Sequence, residues 1–173
     1  MGVMVLQKKI CLLGAFSVGK TSLIQRYVNQ LFSEKYLTTV GVKIDKKQVT
    51  VNNTLLSLMV WDLAGEDDFT QIRSAHLRGL SGYIVVIDGT RQNSFTVALA
   101  LHERIKTELG EVPAVFALNK SDLKDQWLIG HEHIRMLAQL GYPVIETSAK
   151  LDQGVEEVFM GLARQLVPAK SEA

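Results

Sequence analysis

Gly14-Ala15-Phe16-Ser17-Val18-Gly19-Lys20-Thr21 fits the phosphate-loop pattern G-x-x-x-x-G-K-[ST] without a gap. The apolar run before it, Ile10-Cys11-Leu12-Leu13, predicts a buried strand, and Thr21 to Val28 after it predicts an amphipathic helix. Strand, loop and helix in that order are the context in which the motif works. Glycines at 14 and 19 allow backbone turns that a Cβ would obstruct, so N–H groups of Phe16, Ser17, Val18, Gly19, Lys20, Thr21 and Ser22 can face phosphate oxygens at the positive end of a helix. Lys20 offers an ammonium to the β- and γ-phosphates, and the Thr21 hydroxyl is a ligand for Mg²⁺. Taken alone the octapeptide also reads as a glycine-rich turn ahead of an ordinary helix, and it does not name a base.

Composition narrows the class. The 173 residues, 47% of them hydrophobic, suit one α/β domain with a substantial core. Nineteen basic against eighteen acidic residues leave a net charge of +1, which argues against nucleic acid held by bulk electrostatics. The one cysteine, Cys11, falls in a predicted buried strand, so it reads as packing in a reducing compartment, with no disulfide framework or metal-ligand spacing. No apolar run approaches the ~20 residues that span a bilayer, and the expectation is a cytoplasmic protein. Leu6 stands where a myristoylation signal needs Ser or Thr, and the final Val-Pro-Ala-Lys-Ser-Glu-Ala holds no prenylatable cysteine, so no lipid anchor is expected.

The walk along the chain gives alternating elements. Residues 42–51 and 55–63 are strand-like, with Asn52-Asn53 as a hairpin turn between them, and they should pair antiparallel. Tyr83 to Ile87 and Ala114 to Leu118 are continuous apolar runs of the kind buried on both faces of a parallel sheet, with Pro143 to Thr147 a weaker third. Helical patterns cover Ser94 to Leu109, with Phe95, Ala98, Leu99, Leu101 and Ile105 inward, then Glu132 to Leu140 and Val155 to Leu166. This order calls for a mostly parallel sheet with helices on both faces, whose ligands sit beyond the carboxyl ends of the strands.

Three further motifs fall at such ends. Trp61-Asp62-Leu63-Ala64-Gly65 places Asp62 where a carboxylate can hold Mg²⁺ through water and Gly65 where its N–H can sense a γ-phosphate. Asn119-Lys120-Ser121-Asp122 follows, and Asp122 can accept both N1–H and the exocyclic amine of guanine, a donor pair that adenine lacks. In Thr147-Ser148-Ala149-Lys150 a backbone N–H can meet the guanine O6 and reject an adenine amino group. Each tetrapeptide alone is an unremarkable turn. All four motifs in order, each at a predicted strand end, point to GTP.

With these residues the chain resembles the Ras superfamily of small GTPases, and is most similar to its Rab-like branch, over residues 8–167. The resemblance implies an α/β fold: a single P-loop GTPase domain over residues 1–173, with a mostly parallel six-stranded sheet, one antiparallel strand, helices on both faces and a short tail at 168–173. Phe32 and Tyr36 match the guanine-flanking aromatic and the phosphate-covering tyrosine. Thr38-Thr39-Val40-Gly41-Val42 matches the first switch, making Thr39 the threonine that ligates Mg²⁺ only when a γ-phosphate is present. Ala64 to about Arg78 matches the second. The family then implies a monomeric switch that binds GTP or GDP with Mg²⁺, hydrolyses GTP with Lys20, Thr39, Gly65 and the residue at 66 in catalytic places, and meets effectors, an exchange factor and an activator through its switch loops.

Departures qualify that expectation. Glu66 stands where the family usually has the water-orienting Gln, followed by Asp67 and Asp68. An ionised carboxylate there is repelled by the γ-phosphate and impairs hydrolysis; alternatively its pKa is raised by neighbouring negative charge and it positions the water. Phe16 replaces a small residue beside the space used by an activator's arginine, a group worth roughly 10³–10⁵ in rate. Both favour slow turnover, and a nucleotide-binding module that barely hydrolyses is the alternative. Of the branch's partner-reading aromatic triad only Trp61 matches, with Ile44 and His76 in the other places. His131 and His133 read as solvated, Arg73 and Arg78 as surface charge rather than a built-in arginine finger, and Trp127 as a loop cover.

Overall fold

The computed structural model describes residues 5–29, 43–63 and 72–169. Six strands form one sheet: β1 (Val5–Leu13), β2 (Lys43–Val51), β3 (Thr54–Asp62), β4 (Leu80–Asp88), β5 (Ala114–Asn119) and β6 (Val144–Glu146), in the spatial order β2-β3-β1-β4-β5-β6. Only β2 runs antiparallel, to β3; the remaining neighbours are parallel. The antiparallel pair turns at Asn52 and Asn53, whose φ values of 50° and 61° are the positive pair that a two-residue hairpin requires.

Helices α1 (Lys20–Asn29), α2 (Ser74–Leu77), α3 (Gln92–Leu109), α4 (His131–Gln139) and α5 (Val155–Leu166) cover both faces. The period-2 alternation of strand side chains sorts the core into two layers. Ile10, Leu12, Leu58, Val60, Ile84, Val86, Val115 and Ala117 pack with α1 and α5, where Tyr27 stacks on Phe159 with ring centroids 4.0 Å apart. Cys11, Leu13, Tyr83, Val85, Ile87, Phe116 and Leu118 face the other way, against Leu77 of α2, Phe95, Ala98, Leu101 and Ile105 of α3, and Leu137 of α4. Cys11 is fully buried, and desolvation pushes its thiol up to about 12, which keeps it an inert packing group.

The first strand begins at Val5, five residues before the expected Ile10. Its opening half pairs with β3 alone, joins β4 only from Lys9, and alternates between exposed and half-buried, so it lacks the apolar run of a central strand. A 3-10 segment at Ser121–Gln126 was not expected; it continues from Lys120, which is left-handed at φ 69°. Leu99, expected inward, is only half-buried, while His102 on the same helix is buried.

Because β1 has β3 on one side and β4 on the other, the chain departs from it in opposite directions. The crevice beyond its carboxyl end is where a doubly wound sheet receives ligand.

Candidate functional site

The loop between β1 and α1 is anchored by its own apolar members. Ala15 and Val18 are buried in the core layer beneath α1, leaving Phe16 and Ser17 facing outward. Gly14 lies against β4, where a Cβ would come 2.5 Å from the Val86 carbonyl oxygen, and Gly19, at φ 105°, has room for no Cβ because one would meet Asn119 Nδ2 at 2.2 Å. Ser17 holds a left-handed φ of 60°. Lys20 is almost wholly buried and turns back on the loop, its Nζ donating to the Gly14 and Ala15 carbonyls at 2.9 and 3.0 Å. The result is a concave backbone with an ammonium fixed to its rim.

Across the crevice, the Thr21 hydroxyl donates to Asp62 Oδ2 at 2.7 Å. The strand end of β3 and the first turn of α1 thus bring together one hydroxyl and one carboxylate. Both are hard oxygen donors of the kind Mg²⁺ accepts, beside a loop shaped for phosphate, so the residues present fit that ion.

The two later motifs are joined to this loop and to each other. Asn119 donates through Nδ2 to the Val18 carbonyl at 2.8 Å and accepts through Oδ1 from the Thr147 hydroxyl at 3.0 Å. Asn119, Thr147 and Ser148 are buried, and the Ser148 hydroxyl donates to Asp122 Oδ1 at 2.8 Å. That bond fixes the Asp122 carboxylate beside the strand ends. Ser148 also accepts from the Leu151 N–H at 3.1 Å, shaping the turn through Ala149 and Lys150.

Sequence reading missed three supports. Arg26, in the last turn of α1, donates to the Ala149 and Lys150 carbonyls at 2.9 Å each. Asp88, at the end of β4 and buried, pairs with Lys120 at 2.9 Å and with Arg91 at 3.2 Å, and accepts from Thr90. Burial pushes the Asp88 carboxyl up, but hydrogen bonds from Thr90 and Lys120 outweigh it and hold the group below the usual carboxylate range. Arg91 in turn donates to the Phe16 carbonyl. An isolated Asp at a strand end and an Arg in a helix turn carry no local signal of such long-range contacts.

The family model described as Ras family matches residues 9–168. The chain is 34% identical over 157 residues to Ras-related protein SEC4 of Saccharomyces cerevisiae, covering 90% of this chain and 73% of that protein. It is 33% identical over 167 residues to Ras-related protein Rab-3C of Mus musculus, covering 95% and 74%. The chain belongs to the Ras family. It is a Rab-like small GTPase, and the family is one of GTP-binding switches with GTPase activity.

Several expectations for this small GTPase fall outside the described residues: Phe32, Tyr36, Thr39, Gly65 and Glu66, with Asp67 and Asp68. Others are placed. Arg78 precedes β4 and its carbonyl accepts from Lys9, at the opposite end of the sheet from the phosphate loop, which excludes it as a built-in finger. Ile44 lies opposite Trp61 in the hairpin register, so these two of the three partner-reading positions share one place in the sheet. The expectation of two solvated histidines needs correction. His131 is exposed, but His133 Nδ1 accepts from the Gly130 N–H at 3.0 Å and its ring meets Phe95 edge-on, capping α4. Trp127 lies over Gly89, where any Cβ would come 2.1 Å from its ring. Among the described residues no helix is long and apolar enough to cross a membrane.

Proposed function

We propose that this Ras-family chain binds GTP and GDP with Mg²⁺ at the loop of Gly14–Thr21, reads guanine with Asp122 and the Ser148–Lys150 turn, and hydrolyses GTP slowly. The observation that carries the reading is Asn119, which bonds the phosphate loop on one side and the Thr147 motif on the other. A single side chain thereby sets the distance between the part that would hold phosphates and the part that would hold the base.

In this reading the loop amides and Lys20 stabilise charge on the phosphate oxygens. Thr21 and Asp62, with Thr39 when a γ-phosphate is present, would hold Mg²⁺, which would neutralise developing phosphate charge. Water attacks the γ-phosphorus, the bond to the β-phosphate oxygen breaks, and GDP and phosphate leave. Thr39 and Gly65 would tie the switch loops to the γ-phosphate, so that hydrolysis releases them and changes what effectors meet. Phe16 is more than half exposed at the loop rim. That position supports the expectation that it obstructs an activator's arginine, and together with Glu66 it argues for slow turnover.

Single-turnover phosphate release from GTP-loaded protein tests the reading. Slow release above the buffer rate is expected, and Glu66→Gln should accelerate it. No release over hours would leave a nucleotide-binding module without turnover, and unchanged or slower release in the variant would refute Glu66 as the limiting defect.

A further inference from the structure

Arg91 stands at the amino end of α3, outside all four sequence motifs, yet it touches the phosphate loop. Its guanidinium spans two partners: Nε faces Asp88 Oδ2 at 3.2 Å, and one terminal nitrogen donates to the Phe16 carbonyl. Asp88 is buried; Lys120 reaches the same Oδ2 at 2.9 Å, and the Thr90 N–H and hydroxyl hold Oδ1 at 2.9 and 2.6 Å. The arginine is therefore not a loose surface charge. Its Nε is ion-paired to that carboxylate without a hydrogen-bond partner among the described residues, and the terminal nitrogen carries the directed bond to the loop, so the guanidinium is held by charge at one end and by a hydrogen bond at the other.

What it grips is informative. Phe16 and Ser17 share a trans peptide, in which the carbonyl of the first and the N–H of the second point in opposite directions. Holding the Phe16 carbonyl outward on Arg91 therefore turns the Ser17 N–H inward, toward the concave side of the loop. Ser17 adopts a left-handed φ of 60°, sparsely populated for a residue with a side chain, which persists only when its surroundings determine it. A charged donor on the carbonyl also polarises the peptide and strengthens the N–H as a donor.

We infer that Arg91 is a positioning residue for phosphate: anchored by Asp88, it fixes the Phe16–Ser17 peptide so that the Ser17 N–H faces the nucleotide's phosphates. It acts through that peptide and offers no charge to the phosphates itself, since a guanidinium on the carbonyl side lies away from the inward N–H. The inference rests on the nucleotide-site reading above. Because Lys120 of the base-reading motif shares Asp88, the same carboxylate links guanine recognition to the aim of the phosphate loop.

The backbone of Arg91 also serves α3, its carbonyl accepting from the Ser94 N–H and hydroxyl, and Arg91→Ala keeps those bonds. The test compares unsubstituted protein, Arg91→Ala and Arg91→Lys by GDP release, followed with a fluorescent GDP, and by the ¹⁵N–¹H resonance of the Ser17 amide in the GDP complex. In Arg91→Ala, GDP release should accelerate about 3–10-fold, the order of one typical net hydrogen bond, and the Ser17 amide resonance should move upfield. Arg91→Lys should recover part of both, and it provides the same comparison should the alanine variant fail to fold. Either reading unchanged in a folded variant lacking the guanidinium overturns the inference. Failure of the unsubstituted protein to bind GDP would instead overturn the nucleotide-site reading on which it rests.

Discussion

His102 is a titratable side chain that is 1% exposed, on the inner face of α3, among Tyr83, Phe116 and Tyr142. Its Nδ1 shares a 2.8 Å hydrogen bond with the Tyr83 hydroxyl, while Nε2 has no hydrogen-bond partner among the described residues. Burial lowers its pKa below the ordinary 6.5, with Lys106 adding to the fall and Glu103 and Glu111 opposing it. With the folded pKa below the unfolded one, the unfolded chain takes the proton first as the solution is acidified. The stability supplied by neutral His102 is thus present above about pH 6.5 and is lost as pH falls toward the folded value. The melting midpoint should drop between pH 7 and pH 5, and His102→Gln should drop less over the same interval; equal drops by scanning calorimetry would contradict this. Position 102 lies four residues after Ala98, on the face that helical period turns inward, but a histidine in an apolar row gives no sign of being buried, and the apolar pattern points to Leu99 instead.

At the scale of elements, α1 does more than close the phosphate loop. Its first turn supplies Lys20 and Thr21, its middle packs Leu23, Ile24 and Tyr27 on the sheet, and its last turn sends Arg26 to the Ala149 and Lys150 carbonyls. One helix therefore supports both ends of the proposed site. Arg26→Ala should loosen the Ser148–Lys150 turn and speed GDP release a few-fold, the order of one typical net hydrogen bond; an unchanged release rate would argue that the turn holds its shape without the clamp. Strands and helices were largely legible in the sequence. The runs at Tyr83 to Ile87 and Ala114 to Leu118 are apolar on both faces, and that pattern has one common structural meaning. The turn chemistry of Asn52-Asn53 was legible for a similar reason. The contacts of Arg26, Asp88 and Arg91 were not, because each joins residues far apart in the chain, and an arginine near a helix end has an ordinary local role in complementing the helix dipole.

For the whole molecule, the site is assembled from the ends of β1, β3, β4 and β5 and the turn after β6, so ligand and fold should be thermodynamically linked. A ligand that binds only the folded chain stabilises it by about 2.7 kcal/mol at a hundred times its dissociation constant. GTP or GDP with Mg²⁺ should raise the melting midpoint in proportion to the logarithm of concentration, and ATP should not. An equal rise with ATP would refute guanine reading by Asp122. Rims matter at this scale as well. Of the two edges of the sheet, β6 has three residues, and β2 alternates half-buried and exposed positions, with Lys43, Asp45, Lys46, Lys47 and Gln48 along its length. A sheet invites a stranger's strand wherever its last backbone hydrogen bonds lie open, and crowded chains turn that invitation into aggregates. One border here is too short to template a newcomer and the other is dressed in charge, so the hairpin that widens the sheet also ends it.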